Sequence, residues 1–328
     1  MKLPRLKRSD RAQAVVALGG GHGLHASLSA LRRVVDRLTA VVTVADDGGS
    51  SGRLRQEFGV LPPGDLRMAL AALCGDDEWG QTWAQVLQHR FAGDGDMRGH
   101  VTGNLLIVSL WEQLGDHVQA LDWVGRLLGA SGRVLPMALT PLVMTAQIRG
   151  VDPGAPDAVT TVRGQVEVAT SEGVIQSVAL DPADPTPCAE AVQAVREADW
   201  VVLVPGSWFT SVIPHLLVPE LRQALVETGG RVLVVLNLAP QDGETPGFDQ
   251  ADHLSSLLEH APALQVHTVL ADIRSVPDRA VLEDVVKAAG ARLVVADIAA
   301  DDGSARHDPV KLAAAYDAVI GAGGSPRG

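Results

Sequence analysis

Two neighbouring carboxylates, Asp46 and Asp47, run into Gly48-Gly49-Ser50-Ser51-Gly52-Arg53-Leu54-Arg55. Carboxylates so placed can take ribose hydroxyls or a magnesium ion, and the arginines suit a phosphate gripped through two parallel hydrogen bonds. A glycine run precedes them, Leu18-Gly19-Gly20-Gly21-His22-Gly23-Leu24, in which Gly21-x-Gly23-x-x-Ala26 fits a loose dinucleotide-type fingerprint. Glycine there lets a chain approach a phosphate with no Cβ in the way. No Lys-Ser/Thr pair follows, so this is no Walker loop. Four more polar turns come later: Pro62-Pro63-Gly64-Asp65-Leu66-Arg67, Gly99-His100-Val101-Thr102-Gly103-Asn104, Pro205-Gly206-Ser207-Trp208-Phe209-Thr210-Ser211, and Asn237 through Gln241 to Glu244-Thr245, with His253 just downstream. Asp65 reads equally well as a ligand group and as a carboxylate favoured by a helix amino end. His100 and Asn104 could donate to a phosphate or, for the histidine, move a proton.

These groups need elements to carry them. Ala14 to Leu18, Ala40 to Ala45, Val134 to Met137, Trp200 to Val204, Val232 to Leu236, Val266 to Leu270 and Leu293 to Ala296 are apolar runs of buried-strand type. An amphipathic stretch covers Leu24 to Leu38, and residues 62–130 read as mostly helical. Residues 140–180 read as a hairpin-rich excursion. Strand and helix alternate throughout, which predicts right-handed crossovers and an α/β, Rossmann-like, doubly wound and mostly parallel sheet with a helical insertion at about 62–130. One domain, 13–322, is expected behind a disordered basic tail, 1–12. In such a sheet the six polar turns meet at one edge and form a polar ligand cleft.

Composition narrows the classes. The 328 residues carry a formal net charge of −12, which gives no cation surplus for nucleic acid. Aromatics are 3%, against abundant Ala, Val, Leu and Gly, as helices on a parallel sheet require. Two cysteines, Cys74 and Cys188, make neither a disulfide framework nor a zinc cluster and fit a reduced cytoplasmic setting. No apolar run nears the roughly 20 residues of a membrane span. His253 and His260 stand seven apart on one helix, roughly 10 Å, too far to share a metal. Trp111 and Trp123 are expected to pack within the helical insertion. A homo-oligomer is left open.

In order along the chain, VVALGGGHGL, TAVVTVADDGGSSGRLR, LPPGDLRMALAAL, GHVTGNLLIVSL, VVLVPGSWFTSVIPHLLV, NLAPQDGETPGFDQADHL and HDPVKLA resemble the CofD/YvcK family, and its gluconeogenesis-factor branch in particular. DDGGSSGRLR together with PPGD-R is the specific part. The resemblance implies a cytoplasmic Rossmann-like protein that binds UDP-sugars, notably UDP-N-acetylglucosamine, and serves growth on gluconeogenic carbon sources, cell shape and wall integrity. The family's other branch implies magnesium-dependent transfer of a phospholactyl group from a guanylyl pyrophosphate carrier to a deazaflavin alcohol. Carried over by motif, the ligand-binding residues are Gly20, Gly21, Gly23, Asp46, Asp47, Ser50, Ser51, Arg53, Asp65, Arg67, His100, Asn104, Gly206, Ser207, Thr210, Ser211, Gln241, Glu244 and His253. The motifs demand no cofactor; the one they would admit is magnesium on Asp46. The chain departs from the pattern at His22 for threonine, Met68 for asparagine, Trp208-Phe209 for Leu-Tyr, His215 for asparagine and Ala239-Pro240-Gln241 for a Met-Thr-Gln-like run, and it matches poorly over 150–175. A dinucleotide-dependent oxidoreductase, allowed by the first loop alone, lacks a Lys/Tyr or His/Asp constellation.

Overall fold

Short Val-, Leu- and Ala-rich runs with no charge inside them are suited to strands buried on both faces. The computed structural model, which describes residues 13–241 and 243–322, has the strands β1 (Ala14–Gly19), β2 (Arg37–Val42), β3 (Arg133–Pro136), β4 (Val143–Arg149), β5 (Val159–Arg163), β6 (Val174–Asp181), β7 (Trp200–Leu203), β8 (Arg231–Val235), β9 (Thr268–Asp272) and β10 (Arg292–Ala296), of which β4, β5 and β6 are half or largely exposed. Seven of them make one parallel sheet in the order β10-β9-β8-β7-β1-β2-β3. From the β1/β7 boundary, successive strands are added outward in opposite directions. Right-handed crossovers then place the helices of the two halves on opposite faces, and the boundary is the topological switch point. The expected doubly wound α/β fold is what forms. The basic tail expected at 1–12 lies outside the described residues.

The helices that frame the switch point are α1 (Gly21–Leu31), α2 (Gly49–Phe58), α3 (Gly64–Leu73), α4 (Glu78–Gln88), α5 (Thr102–Leu114), α6 (His117–Leu128) and α7 (Gln165–Thr170). The excursion at 140–180 is a three-stranded antiparallel sheet, β5-β4-β6, carrying α7. The C-terminal helix Pro309–Ala322 lies against α1, where Tyr316 donates its phenol proton to Ser27 across 3.0 Å. No described helix is long and apolar enough to cross a membrane.

Several boundaries differ from the sequence expectation. The amphipathic stretch expected to reach Leu38 ends as a helix at Leu31, because β2 must start at Arg37 to pair with Ala14. The second strand, expected at 40–45, therefore runs from 37 to 42, although residues 43–45 remain buried. β9 likewise sits two residues later than 266–270. Apolar runs report burial, whereas pairing is set by the neighbouring strand's register. Asp46 to Arg55, read as a polar turn, is helical from Gly49 onward. Trp123, expected inside the insertion, is 50% exposed on α6, while Trp111 is buried as expected.

Candidate ligand crevice at the carboxyl edge

At the end of β1 the backbone is extended at Gly20 and turns left-handed at Gly21, φ +57°, which starts α1. Two residues on, a Cβ at Gly23 would stand 1.8 Å from the Pro205 carbonyl oxygen, so only glycine lets α1 lie against the end of β7. Gly23→Ala is accordingly expected to cost about 3 kcal/mol of stability by forcing two backbones apart. Gly21→Ala, with nothing within 4 Å, should cost only the left-handed conformation, about 1 kcal/mol. Urea unfolding of the two variants checks the contrast.

Asp46 and Asp47, adjacent in sequence, part company in the structure. Asp46 accepts the Gly48 amide at 3.0 Å and the Ser51 hydroxyl, and Ser51 Oγ in turn accepts the Gly64 amide at 2.7 Å. That bond brings the start of α3 to the end of β2 and sets Asp65 beside Asp46. The Asp65 carboxyl accepts the Gly21 amide at the amino end of α1. Burial first, and then the Asp46 charge, push Asp65 up to about 7. Asp46 is raised too, chiefly by burial. Asp47 spends both oxygens on the first amides of α7, Gln165 at 2.9 Å and Val166 at 3.1 Å, and so anchors the small sheet.

The cations divide in the same way. Arg53 is exposed and donates to the Arg98 carbonyl at 2.8 Å, beside an open groove of about 620 Å³ shared with His100. It is Arg55, half-buried and with a buried Nη1 free of any hydrogen bond, whose charge acts on Asp46 and Asp47. Arg67, buried and bonded to Gln88, is lowered to about 10 by desolvation while Asp65 and Asp46 pull it upward.

Ser50 and His100 meet at 3.3 Å, Oγ to Nδ1. Ser50 Oγ already accepts Asn104 Nδ2 at 3.1 Å and the Val101 amide at 3.3 Å. Both lone pairs are engaged, so its own proton goes to Nδ1 and leaves His100 with hydrogen on Nε2. Burial lowers the His100 pKa, which keeps the ring neutral. Together these residues pin the start of α5 to α2.

The opposite wall is a π-helical turn, Trp208–Val212, after β7. Asn237 bonds both the amide and the carbonyl of Gly206 at 2.9 Å; Gln241 accepts the Trp208 amide at 2.9 Å and donates to Ser207 Oγ at 3.2 Å. Buried Glu244 accepts the Phe209 amide at 2.7 Å, the Thr210 amide at 3.2 Å and the Thr210 hydroxyl at 2.6 Å. Ser211 lies against Gly20 and joins the walls. His215, in the position where the resemblance has asparagine, is fully buried between the carbonyls of Val41 at 3.1 Å and Val212 at 3.3 Å and is lowered to about 4 by desolvation.

Gly20, Gly21, Asp46, Ser51, Asp65, Arg67 and Ser211 thus converge on the switch point. Gly23 packs the frame, Ser50 on α2 with His100 and Asn104 at the start of α5 braces it, and Gly206, Ser207, Thr210, Gln241 and Glu244 build the second wall. His253 is not brought to the crevice. Its ring is fully buried edge-on to Trp208 and Phe248, and Nδ1 lies 2.6 Å from the Asp249 carbonyl. One group was passed over in sequence, Thr43, a buried hydroxyl with no partner beside Gly20; Arg55, read with Arg53 as a phosphate clamp, is missing only from the set carried over by motif. A lone threonine in AVVTVA was the available signal. A larger cavity, about 1000 Å³, opens at the amino edge beneath β1–β3 and is lined by Arg37, Arg133 and Glu190 among others. It holds none of the motif residues, so the chemistry favours the crevice over the larger void.

Over residues 15–310 the chain matches the family described as 2-phospho-L-lactate transferase CofD. It belongs to the CofD family. Within that family it is 52% identical, over 93% of its length and 90% of the other's, to a Mycobacterium tuberculosis protein described as "Putative gluconeogenesis factor". A Listeria innocua protein described as "Gluconeogenesis factor" is 34% identical, over 93% of this chain and 95% of its own. A crystal structure of a UPF0052-family protein from Bacillus halodurans superposes with a TM-score of 0.82 at 32% identity, covering 92% of this chain and 98% of that one. Both the family match and these relatives span the β2–α2 and α3 motifs that build the crevice.

Proposed function

We propose that this protein is a nucleotide-sugar-binding regulator of the gluconeogenesis-factor kind. It takes a UDP-sugar such as UDP-N-acetylglucosamine in the carboxyl-edge crevice, and acts in the cytoplasm in support of growth on gluconeogenic carbon sources, cell shape and wall integrity. The observation that carries the reading is the convergence of Asp46, Asp65, Arg55 and Arg67 beside the amino end of α1 at the switch point, where the space next to the Gly21 Cα is open. Helix amides and guanidinium groups suit a diphosphate, and a carboxylate suits ribose hydroxyls. Binding without turnover fits the engagement of both Ser50 lone pairs by the Val101 amide and Asn104, which makes that oxygen a poor nucleophile.

The second reading is a magnesium-dependent transferase of the phospholactate type, acting on a nucleotide-pyrophosphate carrier and a deazaflavin alcohol. What favours it is the facing pair of Asp46 and Asp65, both raised. Two mutually repelling carboxylates fit a magnesium ion that completes its oxygen shell with water and ligand phosphate. When bound there, the ion would neutralise charge on a pyrophosphate. No cluster of three His, Cys, Asp or Glu side chains suited to a metal exists among the described residues, so ligand oxygens would have to supply the rest.

Calorimetric titration with UDP-N-acetylglucosamine, with and without Mg²⁺, followed by mass spectrometry of the recovered nucleotide, separates the two. Saturable binding of an intact ligand is expected. Asp46→Asn should weaken it by roughly tenfold to a hundredfold, the size of one charged hydrogen bond, with little change in thermal midpoint. No binding, or cleavage only with metal, would move the assignment to the transferase.

A further inference from the structure

Asp47 spends both of its oxygens on α7, and the side chain it thereby fixes is that of Val166, whose amide it accepts at 3.1 Å. Val166 is 42% exposed. A lone exposed valine ordinarily asks for no explanation, but this one is held from several sides. A Cβ on Gly48 would stand 3.0 Å from Val166 Cγ2 and 3.4 Å from Asp46 Oδ1, so the valine methyl groups and the crevice carboxylate flank the same glycine. Two residues on, Val168 is fully buried and packs α7 onto β4. Near the end of the helix, a Cβ on Gly243 would lie 1.7 Å from the Ala169 carbonyl oxygen, which seats α7 against the loop after β8. Gly164, φ +110°, enters the helix in a conformation that glycine alone adopts readily. α7 therefore touches the loops after both β2 and β8, and it keeps an apolar side chain in one place beside Asp46 while leaving it open to solvent.

We infer, on the nucleotide-sugar reading above, that Val166 is the residue through which the crevice selects an N-acetylated sugar. Asp46 takes a hydroxyl of the ligand, and the Val166 methyl groups cover the methyl of the acetyl substituent. A pinned apolar group next to a carboxylate distinguishes ligands in just this respect. A free sugar hydroxyl set against valine would give up its bond to water and gain none, whereas an acetyl methyl gains contact. Asp47 is a positioning residue here: it acts through the first amides of α7, by deciding where Val166 stands. The two adjacent carboxylates thus have separate tasks, one toward the ligand and one toward the wall that reads it.

Calorimetric titration with UDP-N-acetylglucosamine and with UDP-glucose gives the ratio of the two affinities, a quantity that a general loosening of the fold leaves alone. The parent chain should favour the N-acetylated ligand. Val166→Thr, equal in shape, should cut that preference about fourfold, the worth of one buried methyl group, and Val166→Ala should cut it at least as far. Asp47→Ala should lower the preference as well, with Asp47→Asn, which keeps one acceptor oxygen, lying between it and the parent. Val174→Thr alters another exposed valine of the small sheet, paired with Arg149 at the end of β4 remote from α7, and should leave the preference where it is. Equal affinities in the parent, or a preference that Val166→Thr and Val166→Ala leave unchanged, overturns the assignment of Val166 while nucleotide-sugar binding stands. Binding of neither ligand overturns the nucleotide-sugar reading and this assignment with it.

Discussion

Glu244→Ala is expected to be among the most damaging single replacements in this chain, at about 3–5 kcal/mol. The carboxylate is 3% exposed and accepts from three donors at the start of the π-helical turn, the amides of Phe209 and Thr210 and the Thr210 hydroxyl. Burial raises its pKa while these donors act in the opposite direction. Removing it leaves buried donors where water does not reach, each costing about 1–3 kcal/mol, not fully additive. For a protein of this size the thermal midpoint should fall on the order of 5 °C. Glu244→Gln, which keeps one carbonyl oxygen, should lose about half as much. The turn it orders faces Gly20 through Ser211, so nucleotide-sugar affinity should fall along with stability. A loss under 0.5 kcal/mol for the alanine variant, the ordinary range for a surface change, would show that the carboxylate does not hold the turn.

Asp65 should make stability depend on pH in a direction opposite to that of an ion-paired carboxylate. Its folded pKa of about 7 lies above the 3.8 of a free aspartate, because burial and the nearby Asp46 charge disfavour the anion. Between those two values the folded protein keeps a proton that the unfolded chain has released. The contribution is therefore fully present below about pH 4, falls as pH rises, and is spent by about pH 7. The full shift corresponds to about 4 kcal/mol, and partial solvent contact reduces the expected change to about 2. Asp65→Asn can still accept the Gly21 amide and carries no charge. It should match the parent near pH 4 and exceed it by about 2 kcal/mol at pH 8. Urea midpoints across that range measure the difference, and parallel curves would return Asp65 to the ordinary aspartate range. If Asp46 and Asp65 hold Mg²⁺, adding it should flatten the parent curve and leave that of Asp65→Asn little changed.

Much of the crevice was legible because its parts are turns. Glycines, small hydroxyl residues and carboxylates at strand ends are visible as local composition, and alternating strand and helix patterns put those ends on one edge. Roles within the turns were less legible. Asp46 and Asp47 look equivalent as neighbours, yet an extended backbone sends adjacent side chains to opposite sides, one to Asp65 and the other to α7. The helical start of α2 makes Arg53 and Arg55 diverge in the same way, so that only Arg55 reaches the carboxylates. His253, at the end of a polar motif, is drawn into an aromatic core by Trp208 and Phe248, residues far from it or ahead of it in sequence.

The amino-acid sequence alone determined the α/β class, the mostly parallel sheet of buried strands, the helical insertion and the strand-end motifs, since hydrophobic period and glycine placement are local properties. Only the tertiary structure decided that Asp46 is partnered by Asp65, that Ser50 is a brace and that Trp79 and Trp123 are exposed on α4 and α6. Those outcomes depend on which elements are neighbours, and so on strand register and helix packing across tens of residues. A short-range pattern carries no record of either.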